Sequence, residues 1–263
     1  MQFTTPIDIT PSTRPICYRD RVLLLGSCFS DEIGRQMQMR SLPALTNPSG
    51  TLYNPISILS ALRDDEPVRR AFAAADVVLI TLGTAWVYER DGRVVANCQK
   101  LPASLFTRRR LSVDEIVSAW QPFLIEHAAK RWIFTVSPIR HRKDGLHENE
   151  LSKAILLLAV ERLGVEYFPS YEILLDELRD YRFYGDDLAH PSHMAVEYIF
   201  SRFSDTYYAA DTRAQMADWL SLYADEHHRL LHPDSEEAKR FLEQTRRKRA
   251  ALEQRYAPIS YAI

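Results

Sequence analysis

The chain has 263 residues, 46% of them hydrophobic and 26% charged, with a net charge of -2. This suits one large or two small globular domains, and the near-neutral balance offers no basic field for nucleic acid. No apolar run approaches the roughly 18 residues of a membrane span, Met1 to Pro6 lack a basic or apolar leader, so no signal peptide is expected, and Cys17, Cys28 and Cys98 are too scattered for a disulfide framework, which points to a reducing cytoplasm.

Residues 1–20 carry Pro6, Pro11 and Pro15 and read as an irregular lead-in. The apolar run Val22 to Leu25 predicts a short buried strand that stops at Gly26, and residues 31–40 predict a helix. Asn47-Pro48-Ser49-Gly50 is turn chemistry, and a short helix with Pro at its start is expected from Pro55 to Leu62. Val77 to Leu82 predicts a second strand, stopped by Gly83. Ser112 and Glu115 form a capping box that opens a helix running to about Lys130. A third strand is expected from Trp132 to Val136, ended by Ser137-Pro138. An amphipathic helix follows from Glu148 to Leu163, then a fourth strand from Val165 to Phe168. Short buried strands alternating with helices imply a parallel sheet covered on both faces. From Met194 onward the signals are helical only. Residues 212–228 and 235–255 predict long, charged helices that serve as a packing arm or an oligomerisation element; the simpler reading is a solvated helix laid against the domain. The expected organisation is therefore a lead-in (1–20), an α/β domain (21–205) and a helical C-terminal extension (206–263) packed on it.

Four spots carry chemistry. Gly26-Ser27-Cys28-Phe29, Gly83-Thr84-Ala85-Trp86 and Ser137-Pro138-Ile139-Arg140-His141 each follow a strand. In a parallel sheet the strand C-termini lie along one edge, where open α/β folds bind ligands. A thiol or hydroxyl at a strand-to-helix corner also meets free N–H groups and the positive end of a helix dipole. The fourth spot, Gly185 to Ser192, holds Asp187 and His190 at a spacing that a tight turn can aim at one point. A nucleophile needs such a base, and the base needs a carboxylate to hold its tautomer. Taken alone, Asp187 could equally cap the next helix and His190 could be a surface histidine. Arg140 suits a carboxylate or phosphate, or a local anchor to Asp144 or Glu148. No Cys-x-x-Cys pair stands at these four spots, so no metal is expected there, and no cofactor is expected.

In this order the four blocks resemble the SGNH (GDSL-type) hydrolase superfamily. Gly26-Ser27-Cys28-Phe29-Ser30 is similar to the signature of the GSCFA family, with Ser30 for the usual Ala. The runs 47–55, 82–88, 97–100, 137–141 and 186–192 are similar to the family's other recurring segments. The resemblance covers residues 22–203. It implies a three-layer α/β/α, flavodoxin-like fold and, by analogy, ester hydrolysis or acyl transfer. A gapless overlay on Gly-Asp-Ser-Leu puts Cys28 at the nucleophile and Ser27 at the Asp position; the competing register makes Ser27 the nucleophile. Where the family carries Asn-Cys-His-Lys, this chain has Gln99 for His. Where the superfamily carries Gly-x-Asn, this chain has Gly83-Thr84-Ala85, and Ala85 has no side-chain donor. The oxyanion would then fall to the N–H groups of Cys28 and Gly50, or to Asn54 or Thr84.

The expected activity is hydrolysis of a small acyl ester, on a sugar among other acceptors, with Cys28 (or Ser27) attacking, His190 as base and Asp187 orienting it. Arg140, His141, Lys100 and Gly83 are expected to line the site. A thiol at that helix start, beside a histidine, is expected to be partly ionised. The alternatives are an acyltransferase with the same triad and a catalytically degenerate carbohydrate-binding protein. The partner is a small-molecule acyl ester or acylated glycan, without nucleic acid or membrane; a homo-oligomer is compatible with the helical tail.

Overall fold

The computed structural model describes residues 4–95, 102–257 and 261. Its first strand β1 (Val22–Gly26) is wholly buried and turns at Ser27 into α1 (Cys28–Gln38). After β2 (Ala44–Thr46) come α2 (Pro55–Asp64) and α3 (Glu66–Ala74), then β3 (Val77–Leu82). Strands β4 (Trp86–Arg90), β5 (Arg93–Val95) and β6 (Thr107–Arg110) follow, then α4 (Val113–Glu126), β7 (Arg131–Val136), α5 (Leu146–Leu163) and β8 (Glu166–Phe168). A short α6 (Ser170–Glu172) continues as a π-helical turn through Leu178. Helices α7 (His193–Tyr207), α8 (Ala210–Glu226) and α9 (Glu236–Tyr256) close the chain.

Five strands form one parallel sheet in the order β2-β1-β3-β7-β8. Counted among themselves this is 2-1-3-4-5, the flavodoxin-like arrangement, with its switch point between β1 and β3. Period-2 alternation sends side chains to two cores. Val22, Leu24, Val77, Leu79 and Ile133 face one core with α1 and α7. Leu23, Leu25, Val78, Ile80, Leu82 and Phe134 face the other with α2, α4 and α5. Both faces are covered, which is why these strands read as unbroken apolar runs. The fold is thus a three-layer α/β/α sandwich. Met216, Trp219 and Leu222 of α8 and Leu252 of α9 join the core on the α1 side. Among the described residues no helix is long and apolar enough to cross a membrane.

The four expected parallel strands are present, and the Ser112–Glu115 capping box forms in both directions. Helix α1 begins at Cys28, earlier than its apolar pattern suggests, because Ser27 caps it. Four further features emerge. Strand β2 is only three residues long, and α3 opens on a Glu-Pro pair capped by Asp65. The antiparallel sheet β5-β4-β6 stands apart from the main one. In it Trp86 pairs with Arg110 and Tyr88 with Arg108, so two aromatics and two arginines share one face. The π turn after β8 is the fourth.

Candidate active site

Gly26 makes the corner after β1 possible. Its φ is +140°, and a Cβ there would sit 2.1 Å from the carbonyl oxygen of Thr81 on β3. Only glycine tolerates that approach. Its N–H donates to Asn47 Oδ1 (2.9 Å), and Asn47 Nδ2 donates to Asp31 Oδ1 (2.8 Å), which ties the turn after β2 to α1. Ser27 is 1% exposed, and its hydroxyl accepts from the Phe29 N–H as the cap of α1. Cys28, the first helical residue, lines the adjoining cavity, and its own N–H meets no acceptor among the described residues.

The histidine reaches Cys28 through a loop held by its own backbone. Asp187 Oδ1 accepts from the N–H groups of Ala189 (2.9 Å) and His190 (3.0 Å). Its Oδ2 lies 2.5 Å from His190 Nδ1. These two backbone donors, and then the imidazole, hold the Asp187 carboxyl well below the usual carboxylate range. Asp187 caps this turn; the next helix, α7, is capped by Ser192. The Arg140 N–H donates to Ala189 O (3.1 Å), which docks the turn on the loop leaving β7. His190 Nε2 then lies 3.5 Å from Cys28 Sγ. With Nδ1–H donated to the carboxylate, Nε2 is left as the acceptor that a thiol proton needs.

The thiol departs from expectation. Burial pushes Cys28 up from the ordinary thiol value, and the negative charges of Asp31 and Glu32 on α1 push the same way. The free N–H and the distant Lys153 charge pull it down by less. Desolvation therefore outweighs the helix terminus and disfavours the thiolate.

A cavity of about 430 Å³ opens from Cys28 and His190. Asn54, Thr84, Arg140 and His141 line it, with Tyr53, Trp86, Tyr88, Arg108 and the loop Arg142–Asp144. Asn54 Oδ1 accepts from Ser57 N–H as the cap of α2 (2.8 Å), while Nδ2 donates to no described residue. Thr84 is already engaged: its hydroxyl accepts from the Trp86 N–H (3.1 Å) and pairs with Ser152 (3.0 Å). Gly50 does not line the cavity, and its N–H is donated to Asn47 O at 2.8 Å, so it is not a free oxyanion donor. Gly83 is a packing glycine; a Cβ there would meet Tyr53 O at 2.8 Å. Lys100 and the Asn97–Cys98–Gln99 run before it lie outside the described residues. Arg140 pairs with neither proposed anchor, since Asp144 binds Arg108 and Glu148 binds Arg110 (2.6 Å). Among the described residues no three metal-ligating side chains converge.

Two site residues escaped the sequence reading. Arg108 lies over the rings of Trp86 (4.7 Å) and Tyr88 (5.3 Å) and forms a two-pronged pair with Asp144. Lys153, on α5, is 1% exposed and donates to Gly83 O (2.6 Å) and Ser137 O (2.7 Å). It staples together the ends of β3 and β7. Burial pushes its ammonium down to about 7. Its signal was readable: Asn149, Ser152, Lys153 and Leu156 fall at helical spacing on the buried face of α5. Burial also pushes His141 down to about 4, helped by the charge of Lys153, so its ring is neutral near pH 7.

A sequence model described as the GSCFA family matches residues 21–66 and 63–203. No curated protein matches the chain. Among solved structures, the chain is similar to the lipase/acylhydrolase from Enterococcus faecalis, at 11% identity and a TM-score of 0.44, over 75% of this chain and 96% of that one. It is also similar to the Clostridium thermocellum family 3 carbohydrate esterase, at 12% identity and a TM-score of 0.44, over 74% and 98%.

Proposed function

The chain belongs to the GSCFA family, and we propose on that basis that it is a thiol hydrolase of small acyl esters, acylated sugars among them. The observation that carries this reading is the unbroken series Asp187 Oδ2, His190 Nδ1, His190 Nε2, Cys28 Sγ, with spacings of 2.5 Å and 3.5 Å across its two contacts. In this reading Cys28 attacks as a neutral thiol whose proton passes to His190 Nε2 while the carbon–sulfur bond forms. Asp187 keeps the tautomer and stabilises the imidazolium. The Cys28 N–H and Asn54 Nδ2 hold the oxyanion. The ester C–O bond breaks as Nε2 returns the proton to the leaving alcohol, which leaves a thioester on Cys28. Water then attacks the thioester, giving its proton to Nε2. The acid departs, and Cys28 recovers its proton.

Ser27 suits the nucleophile's role less well, because its hydroxyl is buried and spent on capping. The test is turnover of short-chain acyl esters by the wild type and by Cys28→Ala and His190→Ala. Turnover lost in both variants supports the reading; turnover surviving in Cys28→Ala overturns it.

A further inference from the structure

The walls of the cavity carry an excess of positive charge that the protein does not neutralise. Arg140, Arg142 and Lys143 all line it, on the loop that leaves β7. None has a carboxylate within ion-pair distance among the described residues, although Arg109 and Arg110 on β6 both have one. The one acidic residue in the lining, Asp144, is taken by Arg108. The imbalance is local, since the whole chain has a net charge of -2.

Arg140 is also held in place. The Arg140 guanidinium lies 5.2 Å from the Tyr184 ring and 5.6 Å from the Tyr181 ring, and its one polar contact among the described residues, to Leu188 O, is long at 3.5 Å. Most of its donors are therefore free on a pre-oriented group. Lys143 Nζ makes only a 3.4 Å contact with Tyr88 OH. Deeper in, Arg108 Nε is buried without a hydrogen-bond partner among the described residues. Unspent cationic donors in the lining of a cavity that holds a nucleophile are complementary to an anion.

We infer that the substrate is an ester bearing an anionic group, a carboxylate or a phosphate, which Arg140, Arg142 and Lys143 hold while Cys28 faces the ester carbonyl. This rests on the hydrolase reading for the ester, but not for the anion.

The test therefore measures the two separately. Turnover is compared for acetylglycerol 3-phosphate against monoacetylglycerol, and for O-acetylglycolate against ethyl acetate. Binding of inorganic phosphate and of glycolate to the Cys28→Ala protein is measured by calorimetry. The charged ester of one pair should be favoured by at least about tenfold in kcat/KM, and which pair shows it separates phosphate from carboxylate. Raising the salt should erode the preference. The double variant Arg142→Gln, Lys143→Gln should lose most of it through KM, and in the Cys28→Ala background it should lose anion binding. Both side chains are exposed and unpaired, and thermal melting checks that the fold survives. Cys28-dependent turnover of charged and neutral esters at equal efficiency, without anion binding, overturns the inference and leaves the hydrolase reading standing. Anion binding that depends on Arg142 and Lys143, without turnover of any ester, supports the anion site and overturns the ester together with the hydrolase reading. Absence of both anion binding and charge preference overturns the inference.

Discussion

Cys28 Sγ and His190 Nε2 lie 3.5 Å apart although 162 positions separate them in the chain. The contact exists because the end of β1 and the turn dockedon the end of β7 share one edge of a parallel sheet. Asp187 completes it from behind the imidazole. Everything proposed about the chemistry depends on this contact.

The two adjacent nucleophile candidates separate cleanly by mutation. Cys28→Ala should cut kcat/KM for an acyl ester by at least about 10³-fold, as loss of a nucleophile does. Ser27→Ala removes a helix cap and should cost about 1 kcal/mol of stability, with turnover reduced less than about tenfold. Steady-state kinetics beside chemical denaturation reads both. The reverse ranking of the two variants contradicts the assignment.

Asn54 has two separable duties. Its Oδ1 caps α2, and its Nδ2 is the side-chain donor assigned to the oxyanion. Asn54→Asp keeps an acceptor for the Ser57 N–H and removes the donor. It should lower kcat by on the order of 10²-fold while stability stays within about 1 kcal/mol. Asn54→Ala should lose both. If kcat is unchanged in Asn54→Asp, Asn54 does not hold the oxyanion.

Burial pushes the Cys28 thiol up from the ordinary thiol value. The rate of alkylation by iodoacetamide should climb with pH through and beyond about 8.5, the usual thiol value, with no plateau near neutrality. Mass mapping of the alkylated peptide separates Cys28 from Cys17, which is exposed. A plateau below pH 7 would mean a thiolate–imidazolium pair in place of the neutral pair described above.

His141 makes the fold sensitive to acid. Its value falls from 6.5 when unfolded to about 4 when folded, so the unfolded chain binds the extra proton between these limits. The stability due to the buried neutral ring is complete above 6.5 and is lost as pH falls towards 4. Linkage puts its size at roughly 3 kcal/mol. His141→Gln cannot titrate. Its denaturation free energy should therefore fall less steeply than that of the wild type over this window. Parallel slopes contradict the burial argument.

Much of this was readable in the chain. The central strands are continuous apolar runs ended by Gly26, Gly83 or Ser137-Pro138, and Cys28, Asp187 and His190 sit just beyond strands or in a Pro-flanked turn. The sheet of β4, β5 and β6 was not, because its alternation is interrupted by arginines and glutamates that pair across strands and not along the sequence. Arg108 became a site residue through that pairing with Tyr88. The role of Gly50 could not be judged, since only the fold reveals that its N–H closes a turn on Asn47 O. The upward push on the Cys28 thiol is hidden for a similar reason. A helix start is visible in sequence, but the burial that outweighs it is a property of the packed site.

The central claim, a covalent intermediate on sulfur, is tested most directly by trapping it. The protein is mixed with a short acyl ester, quenched in acid within the first turnover, and the acylated peptide is mapped by mass spectrometry. The account predicts an acyl group on Cys28 that neutral hydroxylamine removes and that is absent from Cys28→Ala. An acyl group on Ser27, or turnover with no acyl group on either residue, contradicts it.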